Sequence, residues 1–246
     1  MKNNLFIIIQ ARMTSTRLPK KVLLPLCGKT VLEVVIERLN KYKDNIIIAT
    51  TDDGSETPIL ELCKKIDVKV SKGSVNNVLS RYYHSAKEFA ATKKDIIVRI
   101  TSDCPLIDCT MMEKVIDMYI NGDYDYVSNR INRTVPVGLD VEVFSFELLE
   151  YMYINAKEDF EKEHVTPYIY LSHKDSYKIG SFEENKDNSI YRLTLDEQKD
   201  YEAIQEVYEK FNNQTDFSYK DLITMLEKNS YISKINESVK QKQVKE

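Results

Sequence analysis

The sequence predicts an α/β protein with three layers: a mainly parallel (mixed) sheet with helices on both faces. Three observations point there. Short apolar runs alternate with segments of helical period through the first half of the chain. Capping residues and a proline stand where those helices should begin. The 246 residues suit one large domain, which at this size buries roughly 70–75% of its unfolded surface without disulfide or metal support.

The elements follow in order. Residues 5–9 read as a buried strand. Over 30–40, Leu32, Val35, Ile36 and Leu39 share one helical face, and Thr30 with Glu33 supplies a capping box. A strand follows at 45–50. Ile59, Leu60, Cys63 and Ile66 then mark a helix, with Pro58 in its first turn. After a short strand at 68–70, Val78, Leu79, Tyr82, Tyr83, Ala86 and Phe89 mark a third helix. Residues 96–100 read as a strand and 111–120 as a helix. The second half is less regular: strands near 126–128 and at 141–144, 177–181 and 191–195, and helices at 160–171, 199–211 and 219–226. The tail from 229 is polar and lysine-rich, which predicts fraying or disorder. The expected organisation is one domain over 1–228 and a tail over 229–246. Ligands of such sheets bind beyond the carboxyl ends of the strands, so the loops beginning at Gln10, Thr50, Lys72 and Thr101 should share one rim.

Composition narrows the function. Apolar residues make up 42% and charged residues 30%, and no apolar run approaches the ~18 residues of a membrane span. The apolar run at 5–9 is too short for a signal sequence, so a cytoplasmic protein is expected. Cys27, Cys63, Cys104 and Cys109 form no C-x-x-C pair, and three histidines are too few to suggest a zinc site. A net charge of −4 argues against a nucleic-acid partner. Yet residues 1–32 carry Lys2, Arg12, Arg17, Lys20, Lys21 and Lys29 with no acidic residue before Glu33. One basic segment in an acidic chain suggests a local anion site.

That segment contains QARMTSTRLPKK, residues 10–21, directly after the first strand. It offers two guanidiniums, two ammonium groups, three hydroxyls and a run of backbone N–H groups. This inventory suits a triphosphate. It matches neither G-x-x-x-x-G-K-[ST] nor G-x-G-x-x-G. The ordered residues Ile8, Ile9, Gln10, Ala11, Arg12, Ser15, Thr16, Arg17, Leu18, Pro19 and Lys21 closely resemble the opening signature of cytidylyltransferases that make CMP-activated sugar acids. These are the CMP-KDO and CMP-sialate synthetases, and the match is nearest to the spore coat polysaccharide biosynthesis protein F-like branch. Lys20 stands where that pattern has glycine, a departure that bears on how closely the backbone approaches the β- and γ-phosphates, since glycine permits φ > 0 and lysine does so at a cost.

The resemblance implies a Rossmann-like nucleotidyltransferase (GT-A-like) fold, a homodimer, and a segment at about 125–182 serving dimerisation and the sugar. It implies nucleotide contacts from Gln10, Ala11, Arg12, Ser15, Arg17 and Lys21. Gly73 and Ser74 join them through a stretch, 72–83, that is similar to the family's R-G-S-E-D-D-V-L-D-R-Y-Y. Here Asn76 and Asn77 replace the acidic pair, and either also suits a helix cap. Asp103, in the stretch D-C-P-L-I-D, fits the first Mg²⁺ ligand, and Asp196, in R-L-T-L-D-E, the second. Arg12, Lys21 and Asp103 are the implied catalytic groups. Asp108 reads as a helix cap, and Thr194 with Glu197 as a further capping box. Asn129, Arg130, Asp140, Glu142 and His164 are candidates for the sugar side, arginine being suited to a planar carboxylate.

The expected reaction is attack of a sugar-acid hydroxyl on the α-phosphorus of CTP, with Mg²⁺ as cofactor and pyrophosphate leaving. A competing reading is a metal-dependent glycosyltransferase using a nucleotide sugar, for which Asp123-Tyr124-Asp125 has D-x-D spacing. A third is a nucleotide-binding regulatory domain.

Overall fold

The computed structural model describes residues 3–242. Its strands are β1 (Leu5–Gln10), β2 (Pro25–Leu26), β3 (Lys29–Thr30), β4 (Ile46–Thr51), β5 (Lys69–Gly73), β6 (Ile96–Thr101), β7 (Tyr126–Ser128), β8 (Glu142–Ser145) and β9 (Ile179–Ser181). Its α-helices are α1 (Val31–Arg38), α2 (Thr57–Lys65), α3 (Val78–Glu88), α4 (Cys109–Asn121), α5 (Phe146–Asn155), α6 (Asp159–His164), α7 (Gln198–Lys210), α8 (Tyr219–Lys228) and α9 (Tyr231–Ile235). None is long and apolar enough to cross a membrane among the described residues.

The main sheet runs β5-β4-β1-β6-β8-β7-β9. All neighbours are parallel except those of β8, which opposes both β6 and β7. The chain steps outward from β1 through β4 to β5, then returns to place β6 on the other side of β1. This reversal opens a crevice at the carboxyl ends of β1 and β6, where Gln10 pairs in register with Thr101.

The alternation of side chains along each strand fills both faces. Ile7 and Ile9 pack with Leu32 and Val35 of α1, Ile59 of α2 and Met112 of α4. Ile8 points the other way, toward Leu79 and Tyr82 of α3 and Leu149 of α5. Helices α7, α8 and α9 add a further layer over Val31 and Val34 of α1. Two expected caps are present: Thr30 and Glu33 form the capping box of α1, and Asp108 accepts from Met111 N at the start of α4.

Several sequence expectations change. Strand β5 extends to Gly73, so Lys72 and Gly73 end the strand instead of opening a loop. The hairpin β2–β3 was not expected. It turns through Cys27 and Gly28, both at positive φ. Helix α5 also escaped notice, because exposed Tyr151 and Ile154 blur its apolar stripe. The helix expected over 160–171 is two pieces. Helix α6 stops at His164, Val165 takes φ 71, and a π-turn spans Tyr168–Ser172. Pro167 accounts for the break, since it lacks an N–H and disfavours helix at the residue before it.

The strand expected over 191–195 is an isolated bridge between Val137 and Arg192. The segment runs against Val137 and Gly138 instead, with Leu193 N donating to Val137 O at 2.7 Å. Gly138 permits this: at φ +104, a Cβ there would lie 2.4 Å from Leu193 C. The cap expected from Thr194 and Glu197 is shifted, because Glu197 and Asp200 form the capping box of α7. Thr194 Oγ1 donates to Asp103 O instead.

The tail does not begin as a loose appendage. Ile232 of α9 is buried against α7 and α8, and Asn236 Nδ2 donates to Arg192 O and Asp200 Oδ1. Ile232 and Ile235, with the buried amide of Asn236, anchor a segment whose composition reads as polar. The end of the expected tail, 243–246, lies outside the described residues.

Candidate active site

The loop after β1 closes on itself: Ser15 N and Lys20 N both donate to Met13 O, at 3.1 and 3.0 Å. Lys20 takes φ 59, the left-handed conformation expected where glycine is usual. That turn delivers Lys21 into the crevice. Lys21 Nζ donates to Asp103 Oδ2 at 2.9 Å, to Asp196 Oδ1 at 3.0 Å and to Leu195 O at 2.7 Å. Burial alone would lower the pKa of this ammonium, but the two carboxylates outweigh it and hold it above its ordinary value. Burial likewise pushes Asp103 up, and Lys21 with Thr101 more than reverses that.

Asp103 follows β6, and Asp196 comes from far along the chain. Backbone bonds join them. Leu195 N donates to Asp103 O at 2.8 Å, beside the Thr194 hydroxyl bond to the same carbonyl. Arg17 reaches Asp196 at 3.1 Å. Arg192 holds Asp196 from behind at 3.1 Å and grips buried Asp200 with two nitrogens, at 2.8 and 3.0 Å. Asp200 also accepts from the backbone N–H groups of Asp196 and Glu197. Asp196 is thus fixed by a network, not a flexible stem. Arg192 and Asp200 were not singled out as site residues; their i, i+8 spacing across a helix start was the available signal.

These two carboxylates converge on one cationic point. No cluster of three or more His, Cys, Asp or Glu side chains suited to a metal occurs among the described residues. Mg²⁺ needs fewer, since it commonly takes one or two carboxylates and completes its shell with water and substrate phosphates. Asp103 and Asp196 fit that donor set.

The rest of the rim carries the other expected nucleotide residues. Gln10 Oε1 accepts from Arg99 Nη2 at 3.1 Å. Ala11 is buried, its N–H donating to Ala49 O. Arg12 stands half-buried in the loop and forms no ion pair among the described residues. Ser15 Oγ accepts weakly from Leu18 N at 3.4 Å, and Ser74 Oγ accepts from Asn77 N at 3.1 Å. Asn77 caps α3 by accepting from Ser80 N. Tyr82 is core, its hydroxyl donating to Ile100 O.

A second group of charges lies beside Gln10. Glu142 is buried between Arg99 and Arg130, and it also accepts from the hydroxyls of Tyr126 and Thr166. Burial would raise its pKa, but the two guanidiniums prevail and hold it down to about 2. Two cations face one anion here, so the cluster keeps a positive surplus. Tyr170 OH is buried next to Arg130 without a hydrogen-bond partner. His164 feels the same cluster: burial first, with Arg99 and Arg130 adding to it against the opposing Glu163, holds its pKa below the ordinary value and favours the neutral imidazole. Arg99 is a further residue of the cluster, and a charge inside the apolar strand IIVRIT marks it in the sequence.

The structure separates the expected sugar-side residues. Arg130 and His164 border this cluster. Glu142 is 1% exposed, so it orients the arginines and does not itself line the surface. Asn129 is fully buried, donating to Leu139 O and accepting from Val141 N. Asp140 is held by both terminal nitrogens of Arg133, at 2.6 and 3.0 Å. Asn129 and Asp140 therefore shape the 129–141 loop. Asp123 and Asp125 lie before β7, at the amino end of a strand parallel to β6, and both bind Lys178. The D-x-D of the glycosyltransferase reading is thus at the opposite edge of the sheet from the crevice.

A family model described as cytidylyltransferase matches residues 6–237. The chain is 39% identical to an uncharacterised protein of Methanocaldococcus jannaschii over 97% of each chain. It is 36% identical to the spore coat polysaccharide biosynthesis protein SpsF of Bacillus subtilis, over 92% of this chain and 95% of that one. Among solved structures, a cytidylyltransferase from Leptospira borgpetersenii superposes with a TM-score of 0.89 at 34% identity, covering 98% of this chain and 100% of its own.

Proposed function

From the premise that the chain belongs to the cytidylyltransferase family, we propose that it transfers CMP from CTP to a sugar acid of the nonulosonate or KDO type, releasing pyrophosphate, for surface polysaccharide or glycan biosynthesis. One observation carries the reading: Lys21, Asp103 and Asp196 meet in the crevice between β1 and β6, beside the Arg12–Arg17 loop.

In the proposed reaction, Arg12 and Lys21 bind the triphosphate, and the closed loop orients it with its backbone. Gln10, Ala11, Ser15, Arg17, Gly73 and Ser74 complete the nucleotide's surroundings. The acceptor hydroxyl forms its bond to the α-phosphorus as the bond to the bridging α–β oxygen breaks. Pyrophosphate departs, and the hydroxyl proton passes to solvent. Asp103 and Asp196 would hold Mg²⁺, which when bound supplies a hard positive charge for the phosphate oxygens. Positioning and charge neutralisation then account for most of the rate.

The acceptor's acidity is supported by the surplus positive charge of Arg99 and Arg130 around Glu142. Arg130 is the more exposed of the two arginines and would meet the sugar carboxylate. His164, neutral, would orient the attacking hydroxyl. The proposed setting is a homodimer in the cytoplasm, where CTP is made. Exposed Tyr151, Ile154 and Leu171, in the 125–182 segment, give the dimer apolar surface.

The test is a pyrophosphate-release assay with each of the four ribonucleoside triphosphates against a panel of sugar acids and neutral sugars. CTP with an acidic sugar should give the fastest release. Preference for another triphosphate would sink the CTP assignment, and equal rates with neutral sugars would sink the acid assignment.

A further inference from the structure

Arg81 is charged, buried and unmatched. It lies in the first turn of α3 at 2% exposure, and its Nε and Nη1 have no hydrogen-bond partner among the described residues. Other buried guanidiniums among the described residues have charged or carbonyl partners, although Arg99 Nε also lacks one. Arg38 donates to Ile107 O, Thr215 O and Phe217 O, and Arg99 is paired with Glu142.

Its surroundings are specific. A Cβ on Gly73 would come 3.0 Å from Arg81 Cγ, so the bare glycine lets the arginine stem lie against the end of β5. Gly73 pairs in register with Thr51, the residue before Asp52. Asp52 and Asp53 attract the guanidinium but form no bond with it, and Asp53 Oδ1 is already engaged by Thr51 and Ser55. Arg12 approaches from the β1 loop with the same sign. Burial first, and Arg12 next among the lowering influences, bring the pKa of Arg81 down to about 10.

Arg12 and Arg81 therefore bring like charges to the rim where the carboxyl ends of β1, β4 and β5 meet, and among the described residues no carboxylate forms an ion pair with the buried one. A buried cation without a counter-charge is strongly unfavourable. A phosphate matches the requirement, because it is acceptor-only, anionic and complementary to the guanidinium fork. We propose that Arg81 is a phosphate-binding residue that, together with Arg12, holds a phosphate of the bound nucleotide. This rests on the nucleotide-binding reading above, so the test includes an anion that does not depend on it.

The experiment is calorimetric titration of the full chain with CTP, UTP, cytidine and inorganic tripolyphosphate, paired with thermal melting. It compares the wild type with Arg81→Met and Arg81→Lys. Arg81→Met should weaken CTP and tripolyphosphate by about 10- to 100-fold, the loss of a charged hydrogen-bonding partner, and leave cytidine unchanged. It should also raise the melting temperature of the ligand-free protein, because an unmatched buried charge is gone. Arg81→Lys should fall between, and it reads the site if the methionine variant fails to fold. Unchanged tripolyphosphate affinity with a lowered melting temperature would make Arg81 structural and overturn the proposal. A change confined to cytidine, or to the CTP-over-UTP preference, would make it a base contact and overturn it as well. If the wild type binds tripolyphosphate through Arg81 but ignores CTP, the phosphate site stands and the nucleotide reading fails.

Discussion

Asp103 and Asp196 share a single ammonium group, with Lys21 Nζ 2.9 Å from one and 3.0 Å from the other. The lysine that would meet the triphosphate thus also separates two carboxylates that would otherwise repel across the crevice.

Replacing Lys21 with methionine should act on both activity and folding. Turnover should fall by about 10²–10³-fold, the usual effect of removing one group aimed at developing charge. Stability should fall by about 1–3 kcal/mol, as when a part-buried charged hydrogen-bond partner is deleted. Steady-state kinetics and urea unfolding measure the two. Unchanged turnover would remove Lys21 from the chemistry.

Asp103→Ala and Asp196→Ala should each reduce pyrophosphate release to near background and weaken the Mg²⁺ dependence of nucleotide binding. The readout is a Mg²⁺ titration at fixed CTP. If Asp103→Ala leaves nucleotide chemistry intact, the metal assignment is lost.

Glu142 gives a pH prediction with a definite sign. Its folded pKa, about 2, lies below the ordinary 4.5. Its contribution is therefore fully present above the unfolded value and declines as pH falls through that window toward 2. Urea midpoints from pH 6 to pH 2 should fall less steeply for Glu142→Gln than for the wild type, with the variant already less stable at pH 6. Parallel curves would mean that the pairing with Arg99 and Arg130 contributes nothing to acid sensitivity.

Arg130→Lys keeps the charge but loses the planar fork, so it is not a conservative change here. The KM for the sugar acid should rise by about tenfold, while the KM for CTP stays put. A matching rise in both would move Arg130 from the acceptor side to the nucleotide side.

Lys20→Gly should stabilise the protein by about 1 kcal/mol, since a left-handed residue other than glycine costs roughly that much. Lys20 has φ 59 and only its backbone closes the loop, by donating to Met13 O. Thermal melting of the variant checks it. A drop would mean that the lysine side chain contributes more than its backbone strain takes away.

Much of the fold was legible because the first half repeats strong local patterns. Ile7, Ile8 and Ile9 are all buried, and Thr30 with Glu33 forms the anticipated cap. The opening loop was legible for a different reason, since ordered side chains there match a signature that local physics does not impose. The less legible parts depend on contacts between distant segments. No period in the sequence shows that 191–195 leaves the sheet, because that choice rests on Gly138 admitting the backbone of Leu193. Composition alone could not show that Asn236 completes the shell of Asp200. The sugar side read poorly for a related reason. Glu142 and Arg130 border the same cluster, but only coordinates distinguish the buried carboxylate that orients from the arginine that reaches the surface.

The bond from Leu195 N to Asp103 O ties the two acidic loops through their main chains. The spacing of Asp103 and Asp196 is therefore independent of most side chains on the β7–β8–β9 half of the sheet. On the proposed function, the acceptor side should then be exchangeable. A graft of 125–182 from a relative with a different sugar preference should transplant the preference and leave the phosphate chemistry at its native rate. Gly138 is the position that such a chimaera has to keep, because any larger residue there would lever the Asp196 strap away from its partner.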